Sequence, residues 1–249
     1  MGSPAVATPV ENAEPPKSFL ERFIGVFISP GETFADIARK PDFIAPLLVG
    51  MVGAIAVTET MLAKIGMERI IRSSIEHSSR ASSMTPEQMD QAVSQGARIG
   101  GIFAHVAGVI GVPIFLVIIA ALGLLFVNAI FGGQINFGKS LAVACYANLP
   151  GVLGGIMAIA LIFFGDPEHY NPQSPVPASL GFFLSPDTSK PLMVFANALD
   201  IFSFWFMILL GIGFSEASGK KVKALTIFLC FFGLRALLLC AQMGLALVQ

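Results

Sequence analysis

Charge is what this chain has least of. Asp, Glu, Lys and Arg make up 12% of its 249 residues, against about 25% in an ordinary soluble domain. The net charge is −1, which gives no electrostatic footprint for nucleic acid or for a strongly acidic partner. Cysteine is scarce as well. Cys145, Cys230 and Cys240 show neither metal-like nor disulfide-like spacing and are expected to pack. His77, His105 and His169 are scattered, no H-E-x-x-H pattern exists, and no metal site is expected. Without G-x-S-x-G, and with no neighbour suited to activate a Ser or Thr, no catalytic residue is assigned. No cleavable signal peptide is visible, because the opening segment lacks an apolar run.

What fills the chain is apolar. Hydrophobic residues account for 55% and the mean hydropathy is +0.77. A membrane helix needs about 20 consecutive apolar residues. Five stretches qualify: Phe43–Leu62, Gly101–Phe131, Ala147–Gly165, Leu192–Ser215 and Lys223–Val248. Pro150, Gly151, Gly154 and Gly155 interrupt the third. The expected fold is all-α, a polytopic bundle of five transmembrane helices with an amphipathic interfacial helix at its N-terminal side.

The segments outside the spans divide the chain further. Residues 1–18 are rich in Pro, Ala and Glu and read as a disordered tail. Residues 19–42 read as interfacial helices. In Ser18–Ile28, Phe19, Leu20, Phe23, Ile24 and Phe27 form one apolar stripe with Glu21 and Arg22 off it, as in a helix lying on a membrane. Pro30 and Pro41 bracket a short second helix over Gly31–Arg39. Residues 43–249 form the membrane domain, which includes an outer amphipathic segment at about 64–100. There Thr85-Pro86-Glu87-Gln88 marks a capped helix start, and Gly96, Gly100 and Gly101 are its expected weak points. Asn171–Pro191, proline-rich, reads as an irregular outer loop. Arg39 and Lys40 precede span one, and Lys220, Lys221 and Lys223 crowd the turn before span five. Those bases put the N-terminus in the cytoplasm and the C-terminus outside.

Three groups of residues then resemble a known family. Ser29-Pro30-Gly31-Glu32-Thr33-Phe34, with Ile37, Pro41 and Pro46-Leu47-Leu48, is similar to the entry to the first span in prokaryotic members of the Yip (Ypt/Rab-interacting protein) family. Phe137-Gly138-Lys139-Ser140 leading to Tyr146-Ala147-Asn148-Leu149-Pro150 continues the resemblance. Leu199-Asp200-Ile201-Phe202-Ser203-Phe204-Trp205 leading to Gly211-Ile212-Gly213 completes it. The resemblance implies a five-helix membrane domain with a cytosolic N-terminus and no catalytic motif. In eukaryotic relatives it also implies trafficking partners such as Rab-type GTPases. The short N-terminal tail departs from those relatives and points to a bacterial inner-membrane member.

A few polar residues stand out. Counted at about 1.5 Å per residue from the turn around Ser215–Val222, Asp200 and Arg235 reach nearly the same depth, and Glu59 shares their layer. Asn197 is one turn from Asp200. This polar cluster reads either as an interhelical clamp or as a proton or ion relay, since an unpaired charge at the bilayer centre costs about 2.5–3.5 kcal/mol. Asn148-Leu149-Pro150-Gly151 should break the third span, either lining a site or turning a surface segment into the membrane. Gly133-Gln134-Ile135-Asn136-Phe137-Gly138-Lys139-Ser140 fits the phosphate-loop pattern, but a long apolar helix precedes it instead of a strand, so nucleotide binding is not expected. The sequence therefore supports a non-enzymatic membrane protein without cofactors, whose partners are the bilayer and other membrane proteins or further copies of itself. The alternative is a transporter, channel or lipid-moving protein built on Glu59, Asp200 and Arg235.

Overall fold

The computed structural model describes residues 16–76, 78, 81–165, 178–185 and 188–248. Most of the expected tail, His77, His169 and much of the expected outer loop lie outside them. Among the described residues every regular element is helical. A single bridge pairs Ser179 with Asp200.

Local chemistry sets the helix starts. Ser18 caps α1 (Phe19–Ile28): its Oγ accepts from the Glu21 N–H, and Glu21 accepts from the Ser18 N–H at 2.6 Å. These bonds hold the Glu21 carboxyl below its ordinary pKa. Pro30 opens α2 (Pro30–Arg39), where a missing N–H costs nothing. After α3 (Ile44–Lys64) comes α4 (Met67–Glu76). The Thr85–Gln88 capping box then starts α5 (Pro86–Leu124), which continues as a π-helical turn over Leu125–Ile130. The expected weak points do not interrupt α5. Gly96 and Gly100 are where Ile71 and Met67 of α4 come close, so the missing side chains serve packing. Arg72 binds Asp90 across the same pair at 2.8 Å.

The rest of the bundle comprises α6 (Phe137–Ala147), α7 (Leu149–Phe164), α8 (Lys190–Ala198), α9 (Ile201–Ala217) and α10 (Ala224–Val248). Four helical stretches are long and apolar enough to span a bilayer: Ile44–Lys64, Pro86–Ile130, Phe137–Phe164 and Ala224–Leu247. The expected fourth span is divided. It breaks at Leu199–Asp200 into the short α8 and the apolar α9 of 17 residues. The reason is local, for Asp200 caps α9 instead of continuing a helix.

Neighbouring contacts give the directions. Gly50 of α3 lies beside Val112 of α5 and Asn148 at the head of α7, whereas Gly108 lies beside Thr58. Hence α5 runs against α3. Val57 meets Gly155 and Gly53 meets Val152, so α7 runs with α3. Phe202 against Gly154 and Val143 against Gly213 turn α9 back, and Ala224 against Gly211 sends α10 forward again.

The core centres on α6, whose residues Ser140–Ala147 are all buried among α2, α5 and α9. Small side chains here (Ser140, Ala142, Ala144, Ala147) let several helices close around one. The phosphate-loop reading also meets its structural answer. Asn136 caps α6 by accepting from the Lys139 N–H, and the buried Ser140 hydroxyl donates to the Ala120 carbonyl. No strand precedes the loop.

Candidate functional site

The most concentrated polar chemistry lies where α1, α2, the start of α3 and α6 converge. The Arg22 side chain is 2% exposed and donates to Asp36, itself 2% exposed, at 2.8 Å. Its second branch reaches Asp42 at 3.1 Å. The Tyr146 hydroxyl donates to the other Asp42 oxygen at 2.7 Å, tying the network to α6. Arg39 donates to the remaining Asp36 oxygen at 3.0 Å, and the Lys17 N–H adds a further bond to Asp36. Burial disfavours the Arg22 charge, but the bonds to Asp36 and Tyr146 and the charges of Asp36 and Asp42 outweigh it, so its pKa stands above the ordinary value.

Arg22 was expected off the buried side of its helix. It is instead among the most buried side chains, with Gly25 and Val26 on the same face, while Leu20, Ile24 and Ile28 point outward. The amphipathic stripe therefore splits. Phe19, Phe23 and Phe27 are half-buried, and Phe27 meets Trp205 edge-on at 5.4 Å. α1 and α2 are consequently docked onto the bundle. Thr33 lies so close to Gly25 that a β-carbon there would collide with it, and Phe34 reaches Gly213 of α9. The available signal was Asp36 flanked by Phe34, Ile37 and Ala38, an acid on an apolar face that needed a cation.

The residues of the expected intramembrane cluster have separate partners. Asp200 spends both oxygens on the start of α9, accepting from Phe202 N–H at 3.2 Å and from the Ser203 N–H and hydroxyl at 2.9 and 2.7 Å. No ion pair joins it to Arg235 among the described residues. Arg235 is exposed midway along α10. Asn197 accepts from Ser179 at 3.3 Å, beside Gly181.

Glu59 meets His105 of α5 at 3.2 Å. The other ring nitrogen of His105 lies 2.7 Å from the Gly101 carbonyl, which can only accept. Asn148 forms the turn between α6 and α7, and Pro150 sits buried in the first turn of α7. The break is thus a single residue, with the Gly151 N–H returning to the Asn148 carbonyl at 3.0 Å.

Among the described residues no group of three or more His, Cys, Asp and Glu is placed to hold a metal ion. The Arg22 network is closed, each charge met by its opposite, so its geometry suits fixing elements more than moving protons.

Helical spans, an apolar exterior and a buried charge network at one end define an integral, multi-pass membrane protein. A family model, the Yip1 domain, matches residues 24–242. The chain therefore belongs to the Yip1 domain family. It is also similar to the membrane protein YknW of Bacillus subtilis (strain 168), with 27% identity over 200 residues, 80% of each chain. No solved structure matches it.

Proposed function

We propose that this protein is a non-enzymatic membrane organiser that engages the bilayer and membrane-protein partners, among them further copies of itself, through the edge of α1. One observation carries this reading. The Arg22–Asp36–Asp42–Tyr146 network holds α1 and α2 rigidly on the bundle, while Leu20, Ile24 and Ile28 remain exposed. A clamped helix with a free apolar edge offers area for contact without the entropy cost of ordering it on binding. Arg39, Lys40, Lys220, Lys221 and Lys223 at that end of the bundle support a cytoplasmic N-terminus in a bacterial inner membrane.

Photo-cross-linking residues placed at Ile24 and Ile28 in native membranes test the proposal. Cross-links should form, and a Leu20→Ser/Ile24→Ser/Ile28→Ser variant should lose contacts made from a probe at Phe27 while keeping its stability. Unchanged cross-linking in that variant would remove α1 from the function.

A second reading, proton or ion movement, draws on the Glu59–His105 pair. Proton flux in liposomes that vanishes in Glu59→Gln would favour it. Silent wild-type vesicles would leave the organiser ahead.

A further inference from the structure

We propose that the groove between α3 and α7 is a binding site for one anionic glycerophospholipid, with its phosphate at Lys64 and an acyl chain lying along the groove. The cavity encloses about 370 Å³. Val52, Gly53 and Ala56 form one wall and Val152, Ile156 and Ile159 the other. It opens to the outside of the bundle on helices long enough to span a bilayer. At that depth the surrounding medium is acyl chain, and an apolar furrow is filled by whatever chain fits.

Composition alone would leave the occupant open. The helix faces beyond the groove identify it. Lys64 lies 11 residues beyond Gly53, three turns on at ~100° per residue, and so on the same face of α3. Phe163 lies one turn beyond Ile159 on the α7 wall. The two residues meet there, with the Lys64 ammonium 4.8 Å from the Phe163 ring centre. The Lys64 side chain is exposed at the last turn of α3, where the helix leaves its apolar stretch. From Gly53 to Lys64 is roughly 16 Å, a distance suited to an acyl chain below and a headgroup above.

An apolar slot with a cation beyond its last lining residues, Ala56 and Ile159, has the polarity of an anionic lipid, tail inward and phosphate at the ammonium. A second copy docking its own helix here would place that ammonium against apolar side chains, which suits it less well. The site is separate from the α1 edge and from the Glu59–His105 pair.

The test uses the purified, delipidated full chain in detergent, titrated with palmitoyl-oleoyl phosphatidylglycerol or phosphatidylethanolamine and read by native mass spectrometry. One phosphatidylglycerol should bind in preference to phosphatidylethanolamine. Lys64→Ala should reduce that preference about fivefold, the value of one basic residue at a headgroup, and Lys64→Arg should retain it. Ala56→Phe, a change at an exposed position that fills the groove, should abolish the bound lipid of either kind. Equal binding of the two lipids by the wild type would overturn the proposal. So would an unchanged preference in Lys64→Ala, whose exposed side chain has its contact at the Phe163 ring. A wild-type dimer that dissociates in Ala56→Phe would assign the groove to a second copy instead.

Discussion

Arg22 is the most informative single residue. Its guanidinium lies out of water between Asp36 and Asp42, so deleting it removes the enclosed Asp36's buried cation and leaves that carboxylate only Arg39 and the Lys17 N–H. Arg22→Met should destabilise the detergent-solubilised protein by about 3–5 kcal/mol, and adding Asp36→Leu should recover much of that loss. Thermal unfolding of the two variants and the pair checks the coupling; additive losses would mean that the two side chains act independently. Thr33 gives the opposite case. Its hydroxyl is buried without a hydrogen-bond partner, so Thr33→Val should raise stability by about 1 kcal/mol, seen as a higher melting temperature. Glu21 contributes to the α1 cap through a lowered pKa. Its contribution is present above the unfolded-state value and is lost as pH falls through the folded one. Amide exchange at the start of α1 should therefore accelerate in mild acid, and Glu21→Gln should flatten that response.

Individual elements show how local rules met tertiary demands. α9 begins at Asp200 because a carboxylate that accepts from two N–H groups and a hydroxyl is worth more as a cap than as a mid-helix charge. Asp200→Ala should cost about 1 kcal/mol, while Asp200→Asn should keep nearly all of it, since both cap by acceptance. The two melting curves test the cap: an equal loss in both variants would mean that acceptance by the side-chain oxygen does not carry it. The close approach of α2, α6 and α9 depends on Gly213, where an added β-carbon would press on Val143 and Phe34 together. Gly213→Val should cost about 1–3 kcal/mol by overpacking. A cysteine placed at Phe34, buried in the wild type, should become reactive to maleimide in that background.

At the scale of the whole molecule, α3, α5, α7, α9 and α10 alternate in direction, so the start of α3 and the α9–α10 turn share one face. Cysteines placed at Lys40 and Lys221 should react with an impermeant maleimide from the same side of sealed vesicles, and one at Lys64 from the other. The membrane character and all-helical class were legible from the scarcity of charge and the length of the apolar runs. The Thr85 cap was legible because a cap is a matter of neighbours three residues apart. The Arg22 network was not, because Asp36, Asp42 and Tyr146 lie 14, 20 and 124 positions away in the chain and only packing brings them together. For the same reason equal depth did not make Asp200 and Arg235 partners. Depth follows from counting along a helix, whereas facing depends on how each helix is rotated by its neighbours.

The sequence by itself determined the solvent of this protein, its all-helical class, the Thr85 helix start and the family pattern threaded through its apolar segments. Those are properties of composition and short spacing. Tertiary structure alone decided that α1 and α2 clamp onto the bundle, that α6 is its most enclosed helix, and that Glu59 turns to His105. It also decided that α3 and α7 leave an apolar groove between them. Each of these depends on which faces of distant helices meet, and no local energy in the chain fixes that choice.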